Sequence, residues 1–100
     1  MKITVNNVKE GTLEEFADSY GLEMVVKERS RPSDPSMKFY AKFPRCEILK
    51  RSLLIGKSGN GETVEDAVRD YASQISEELL VKNAQTRERQ EIRVWRLICE

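Results

Sequence analysis

The segment Thr63-Val-Glu-Asp-Ala-Val-Arg-Asp-Tyr-Ala-Ser-Gln-Ile75 has the clearest periodicity in this chain. Its apolar residues, continued by Leu79, recur at the spacing of one helix face. Thr63 stands at the N-cap position, and Glu65 and Asp66 suit the positive end of the helix dipole. The pattern predicts a helix from about residue 63 to 81, with the alternative that Leu79–Val81 begins a strand instead.

A second helix is predicted nearer the start of the chain. Thr12 and Glu15 have the spacing of a capping box. The residues Leu13, Phe16, Ala17 and Tyr20 then form one apolar face over about nine residues, which Gly21 is placed to end. The alternation of Ile3 and Val5 predicts a short strand before it, over residues 2–8.

Between the helices the sequence predicts strands and turns. Strands are expected at 22–29, 37–43 and 47–57, with a proline- and serine-rich loop at 30–36 and a flexible turn at 56–61. After the second helix, residues 82–90 are polar, and residues 92–98 have strand character. The predicted class is α+β, in the order β-α-β-β-β-α-β. Two helices would pack on one face of an antiparallel sheet of three to five strands.

Composition limits the classes of protein to consider. A chain of 100 residues is expected to form one domain, 1–100. Its apolar runs are far shorter than the ~20 residues of a membrane-spanning helix, and its start lacks the apolar region of a signal peptide. We therefore expect a cytoplasmic protein. Its only cysteines, Cys46 and Cys99, stand far apart and are expected to be free thiols, at least one of them partly buried.

The motifs that suggest chemistry are weak. Gly56-Lys57-Ser58 resembles the end of a phosphate-binding loop, but Arg51 stands where that motif needs its first glycine. The chain has no histidine, so it lacks the commonest general base and the commonest zinc ligand. Adjacent carboxylates on a helix do not face one another. We therefore expect neither an enzyme nor a cofactor or metal.

The charge distribution is more informative than the net charge of zero. Residues 23–60 hold nine basic and four acidic residues, giving +5, whereas residues 61–81 hold one basic and six acidic, giving −5. A basic strand surface next to an acidic helix suits docking on phosphates or on an acidic protein face. The residues expected to bind a partner are Arg29, Arg31, Lys50, Arg51 and Lys57 on the basic surface, and Glu65, Asp66 and Asp70 on the helix.

The order of elements from Thr12 to Leu80 resembles that of a double-stranded RNA-binding domain. Gly59-Asn-Gly-Glu-Thr63 followed by Ala67 is similar to that family's glycine turn and helix-packing alanine. The resemblance implies a nucleic-acid-binding module. That family has lysines at the start of its last helix, where this chain has Val64, Glu65 and Asp66.

A second resemblance covers Phe39 to Ile75. Tyr40-Ala-Lys-Phe-Pro44 and Gly61-Glu-Thr-Val-Glu-Asp-Ala67 are similar to segments of the HicB-type antitoxin module. In that family the module binds a protein toxin, so the resemblance implies a toxin-neutralising protein.

The whole chain, and above all residues 1–17, resembles small accessory proteins of enterobacterial phages and prophages. Some proteins of that kind are anti-CRISPR inhibitors, including inhibitors of the type I-F surveillance complex. The resemblance implies a non-enzymatic inhibitor that binds a host CRISPR-Cas surveillance complex and blocks its target DNA. Its partners would be the Cas subunits, with guide RNA as an alternative contact, and no membrane or small-molecule substrate.

Overall fold

The computed structural model describes residues 9–98, which form an α+β fold with two helices and antiparallel sheets. The α-helices are α1 (Leu13–Tyr20) and α2 (Val64–Ile75), and a single turn of 3₁₀-helix spans Pro35–Met37. The strands are β1 (Glu10–Gly11), β2 (Val25–Glu28), β3 (Phe39–Lys42), β4 (Cys46–Lys50), β5 (Leu53–Ile55), β6 (Gly59–Gly61), β7 (Leu79–Lys82), β8 (Gln90–Arg93) and β9 (Arg96–Leu97). The predicted class is confirmed. The strand predicted at 2–8 lies outside the described residues.

The strands divide into more than the single sheet that the sequence predicts. One sheet has the order β2-β3-β6 and another the order β5-β4-β7-β8, and all pairings within them are antiparallel. The short strands β1 and β9 pair in parallel. β3–β4 and β5–β6 are the two arms of one long hairpin, bent at residues 43–45 and 56–58, with its tip at Arg51 and Ser52.

The tip corrects the strand predicted at 47–57. Arg51 and Ser52 have φ values of 51° and 66°, and Lys50 pairs with Leu53 across them. Two successive residues with positive φ between paired strands form the tight turn whose twist suits a hairpin. β4 and β5 are therefore two strands, and the prediction of one strand is wrong. Neither Arg51 nor Ser52 is an asparagine, aspartate or glycine, the residues that usually mark a turn with positive φ at both positions.

The turn predicted at 56–61 is also wrong over its second half. Gly59–Gly61 is a strand paired with β3, and α2 lies directly on it. A Cβ atom at Gly59 would collide with the carbonyl oxygen of Ala67 and the amide of Tyr71, and one at Gly61 with the amide of Ala67. The glycines are needed for this close packing of a helix backbone on a strand.

The second helix ends six residues earlier than predicted. Ser76 leaves the helical conformation, Glu77 has a φ of 63°, and Leu79–Lys82 forms β7 between β4 and β8. The alternative that Leu79–Val81 begins a strand is therefore correct. Leu80 and Val81 are fully buried. Leu79, Leu80 and Val81 are all apolar, so one of them falls at helical spacing after Ile75 whether or not the helix continues.

The caps of both helices are as predicted. Thr12 and Glu15 form a reciprocal capping box, and Gly21 ends α1 in the left-handed conformation. The Thr63 hydroxyl accepts a hydrogen bond from the amide of Asp66 at the start of α2. Buried residues of both helices and both larger sheets then meet in one core. The largest fully buried side chains of residues 9–98 are Tyr71, Phe16, Phe43, Ile75, Leu80, Val81 and Val94.

Candidate functional site

The tip of the long hairpin brings together two of the predicted basic residues. Lys50 ends β4 and Arg51 is the first turn residue, so both side chains lie at the outer end of the four-stranded sheet. Lys50 Nζ lies 3.8 Å from a carboxylate oxygen of Glu78. The Lys50 side chain is still 58% exposed, so the ion pair leaves its ammonium accessible to a partner.

Leu53 follows these cations and is the most exposed large apolar residue of the described chain, at 65%. Leu54 and Ile55 beside it are half-buried, and Lys57 lies two residues beyond the strand. We call residues 50–57 the basic edge. Its cations are among the residues predicted from the sequence to bind a partner, whereas Leu53 is not. An apolar triplet between Arg51 and Lys57, at one edge of a sheet, would have indicated it.

Arg29 and Arg31 lie at the other end of the hairpin ribbon. Arg29 follows β2, where its amide and side chain both donate to β3 and its connection: the amide to Lys38 O at 2.8 Å, and Nη1 to Met37 O at 2.6 Å. Its guanidinium also lies over the Tyr40 ring, 4.7 Å from the centroid. Arg29 therefore closes the 30–38 loop, whereas Arg31 is exposed within it. The five predicted cations do not form one surface.

The predicted acidic residues differ in the same way. Glu65 and Asp66 are exposed on the first turn of α2, and Asp66 lies 3.9 Å from Arg69. Asp70 instead accepts hydrogen bonds from the Asn60 amide at 2.8 Å and from Gln74 Nε2 at 3.1 Å. Asp70 therefore holds β6 against α2. We call Glu65 and Asp66 the acidic helix start; carboxylates there would repel the phosphates of duplex RNA.

An open groove lies beside the acidic helix start. It has a volume of about 450 Å³ and runs between the first turn of α1 and one side of α2. Its lining residues are Thr12, Leu13, Glu14, Val64, Glu65, Val68, Arg69, Ala72 and Ile98. Val64 and Ile98 are both more than 40% exposed, so the groove presents apolar surface next to carboxylates.

The one cysteine within residues 9–98 is not activated as a nucleophile. Burial raises the pKa of the Cys46 thiol, so the thiol stays protonated near neutral pH. Cys46 is a free, buried cysteine as predicted, and Cys99 lies outside the described residues. Over residues 9–98, no group of three or more cysteine or carboxylate side chains is placed to hold a metal ion.

Comparison with known proteins gives no match, whether to protein-family models, to curated proteins or to solved structures. Within the described part of the chain, neither helix is long and apolar enough to cross a membrane.

Proposed function

We propose that this chain is a non-enzymatic phage inhibitor that binds a host CRISPR-Cas surveillance complex in the bacterial cytoplasm and blocks its binding of target DNA. The observation that best supports the proposal is the placement of opposite charges on two elements, with the basic edge on β4–β5 and the acidic helix start on α2. A net charge of zero then comes from opposed patches, which favour docking on a particle that presents both protein and RNA.

Each surface has a role in this proposal. The basic edge would meet an acidic protein face or guide-RNA phosphates, with Leu53 as the apolar contact among its cations. The acidic helix start would meet the lysines that otherwise hold target DNA. Arg31 would add a separate contact. Arg29 and Asp70 would contribute mainly by holding the loop and β6 in place, because their polar groups already bond within the chain.

A DNA-binding assay tests the proposal. Purified surveillance complexes of several subtypes are mixed with labelled target DNA, with and without an equimolar amount of this protein. The proposal predicts that DNA binding is lost for at least one subtype and that the protein co-migrates with that complex. Unchanged DNA binding in every subtype would refute it.

Charge reversal then tests the role of the basic edge. The double substitution Lys50→Glu, Arg51→Glu is compared with Lys27→Glu, since Lys27 is an exposed cation on β2. We expect the double variant to slow association about tenfold or more at low salt and to weaken its salt dependence, because steering acts mainly on the association rate. Equal association by the double variant and Lys27→Glu would remove the basic edge from the interface.

A HicB-like, toxin-neutralising function is a second candidate. The observation that favours it is the juxtaposition of the two segments that carry the resemblance: β3 pairs with β6, and α2 follows β6 and packs on both. This candidate predicts a complex with a small basic ribonuclease. Co-purification of such a toxin with the tagged chain from its native host would favour it, whereas a surveillance complex in its place would favour the inhibitor.

A further inference from the structure

β5 is an outer strand of the four-stranded sheet, and its pairing with β4 leaves the backbone N–H and C=O groups of one residue pointing outward. In a hairpin with a two-residue turn, the residues that flank the turn exchange hydrogen bonds, and the next pair does not. Lys50 and Leu53 flank the turn, and Leu49 pairs with Leu54. The N–H and C=O groups of Leu54 therefore point away from β4, and no described residue pairs with them.

The other outer strands are protected in ways that β5 is not. The amide of Asn60 on β6 donates to Asp70, and the neighbouring Ser58 carbonyl accepts from Gln74 at 2.9 Å. β2 and β8 carry charges of both signs, as Lys27 with Glu28 on β2 and Glu91 with Arg93 on β8. Mixed charges and covered backbone groups are common means of discouraging strand addition. Among the outer strands of these two sheets, within residues 9–98, only β5 has an apolar run that includes an exposed leucine and is flanked by cations on both sides.

The charges at these flanks select the partner. Antiparallel pairing of two copies about Leu54 would bring the turn that carries Arg51 in one copy towards the bend that carries Lys57 in the other, which like-charge repulsion disfavours. A segment with acidic residues at both ends would instead meet Arg51 and Lys57 as opposite charges. Leu53, at 65% exposure, would gain apolar burial in the same complex.

We propose that the outer edge of β5 binds an extended, acid-flanked segment of a partner protein, which joins the sheet as an additional strand. Its backbone would bond to the N–H and C=O groups of Leu54, and an apolar residue would lie opposite Leu54. Carboxylates just beyond the two ends of the paired segment would lie near Arg51 in the turn and near Lys57 after the strand. This inference rests on the proposed function only in that the target is a protein, and it names the chemistry of the contact.

A peptide titration of the ¹⁵N-labelled full chain tests the inference. The probe is a seven-residue peptide with blocked ends, a glutamate at each terminus and alternating valine and threonine between them. A matched peptide with terminal lysines is the control. We expect the acidic peptide to shift the amide signals of residues 53–57, to slow hydrogen exchange at the Leu54 amide and to bind about tenfold more tightly than the lysine peptide. Equal binding of the two peptides, or shifts confined to other residues, would overturn the inference.

Two substitutions at one position separate backbone pairing from side-chain contact. Leu54→Pro removes the outward N–H without breaking a bond to β4, and Leu54→Ala keeps that N–H. We expect the proline variant to lose peptide binding, and the alanine variant to retain more than half of its affinity. If the proline variant fails to fold, the pair Arg51→Asn, Lys57→Gln replaces it and should weaken binding about tenfold. Unchanged binding by a folded proline variant, or by the charge variant, would overturn the inference.

The outcomes also separate this inference from the proposed function. If the chain binds the peptide at β5 but leaves every surveillance complex active, the inference about β5 is supported and the proposed inhibitor function is refuted. If the Leu54→Pro variant inhibits a complex as well as the unchanged chain does, the proposed function stands and the inference about β5 is overturned. A Leu54 signal that shifts with protein concentration in the absence of peptide would assign β5 to self-association and overturn the inference.

Discussion

Gly59 and Gly61 determine how closely α2 can approach the sheet. A methyl group at Gly59 would meet helix backbone atoms, which cannot move without displacing α2. At Gly56, by contrast, the same methyl group would have nothing within 4 Å. Gly56 and Gly59 are only three residues apart, yet there is space for a side chain at Gly56 and none at Gly59.

We expect Gly59→Ala to lower the free energy of unfolding by about 2–3 kcal/mol, as overpacking against a rigid neighbour does. Gly56→Ala is the matched control and should change it by less than about 0.5 kcal/mol. Urea denaturation of both variants checks this. Similar stability for the two would contradict the close contact between β6 and α2.

Tyr71 should make stability depend on pH in the alkaline range. It is 1% exposed, and burial raises its pKa from the ordinary value of 10.0 to about 12. Above pH 10 the unfolded chain loses the phenol proton while the folded chain keeps it. Stability from this group is therefore full below pH 10 and is lost as the pH rises toward 12, by up to about 1.4 kcal/mol per pH unit.

Comparison with Tyr71→Phe isolates this contribution. The variant cannot ionise at this position, so its free energy of unfolding should fall less steeply between pH 10 and 12. Denaturant titrations at several pH values give both slopes. Equal slopes would show that the Tyr71 phenol ionises as readily in the folded chain as in the unfolded one.

At the scale of elements, α2 is tied to β6 through Asp70. Because the Asp70 carboxylate accepts from both Asn60 and Gln74, Asp70→Ala removes two hydrogen bonds to a charged acceptor. We expect it to lower the free energy of unfolding by about 1–3 kcal/mol. Asp66→Ala, one turn earlier, should cost about 0.5 kcal/mol, because its pair with Arg69 is exposed. Thermal unfolding of the two variants measures both losses of stability. A larger loss for Asp66→Ala than for Asp70→Ala would contradict the role of Asp70 in holding β6 against α2.

The elements also show what the sequence could and could not predict. Helix caps are local, so Thr12, Glu15, Gly21 and Thr63 were identified from spacing alone. The strand at Gly59–Gly61 depends on a helix that packs against it, which composition does not reveal. The turn at Arg51 and Ser52 carries no glycine or asparagine, so its position follows from the pairing of β4 with β5 and not from its own residues.

The β4–β5 turn gives a prediction that follows from this mismatch. Arg51→Asn with Ser52→Gly places residues that tolerate positive φ at both turn positions. We expect the double variant to raise the free energy of unfolding by about 1 kcal/mol. Chemical denaturation measures the change, with Lys50→Asn as a control that alters charge outside the turn. A loss of stability in the double variant would contradict the turn geometry.

At the scale of the whole molecule, the chain separates its charges along the long hairpin and the helix that covers it. The basic residues were predicted to form one surface, but the ribbon holds Arg29 and Arg31 at one end and Lys50 and Arg51 at the other. Sequence position alone did not show this, because the bend and the turn set the direction of each strand. We therefore propose partner contact at the basic edge and at the acidic helix start.

Hydrogen exchange of the bound protein shows whether these two surfaces contact the partner. The chain is measured alone and after mixing with an excess of the surveillance complex whose DNA binding it blocks. We expect slower exchange at residues 53–57 and at the acidic helix start, with exchange in β2 and β8 unchanged. Identical exchange with and without the complex, or protection that leaves the basic edge untouched, would contradict it.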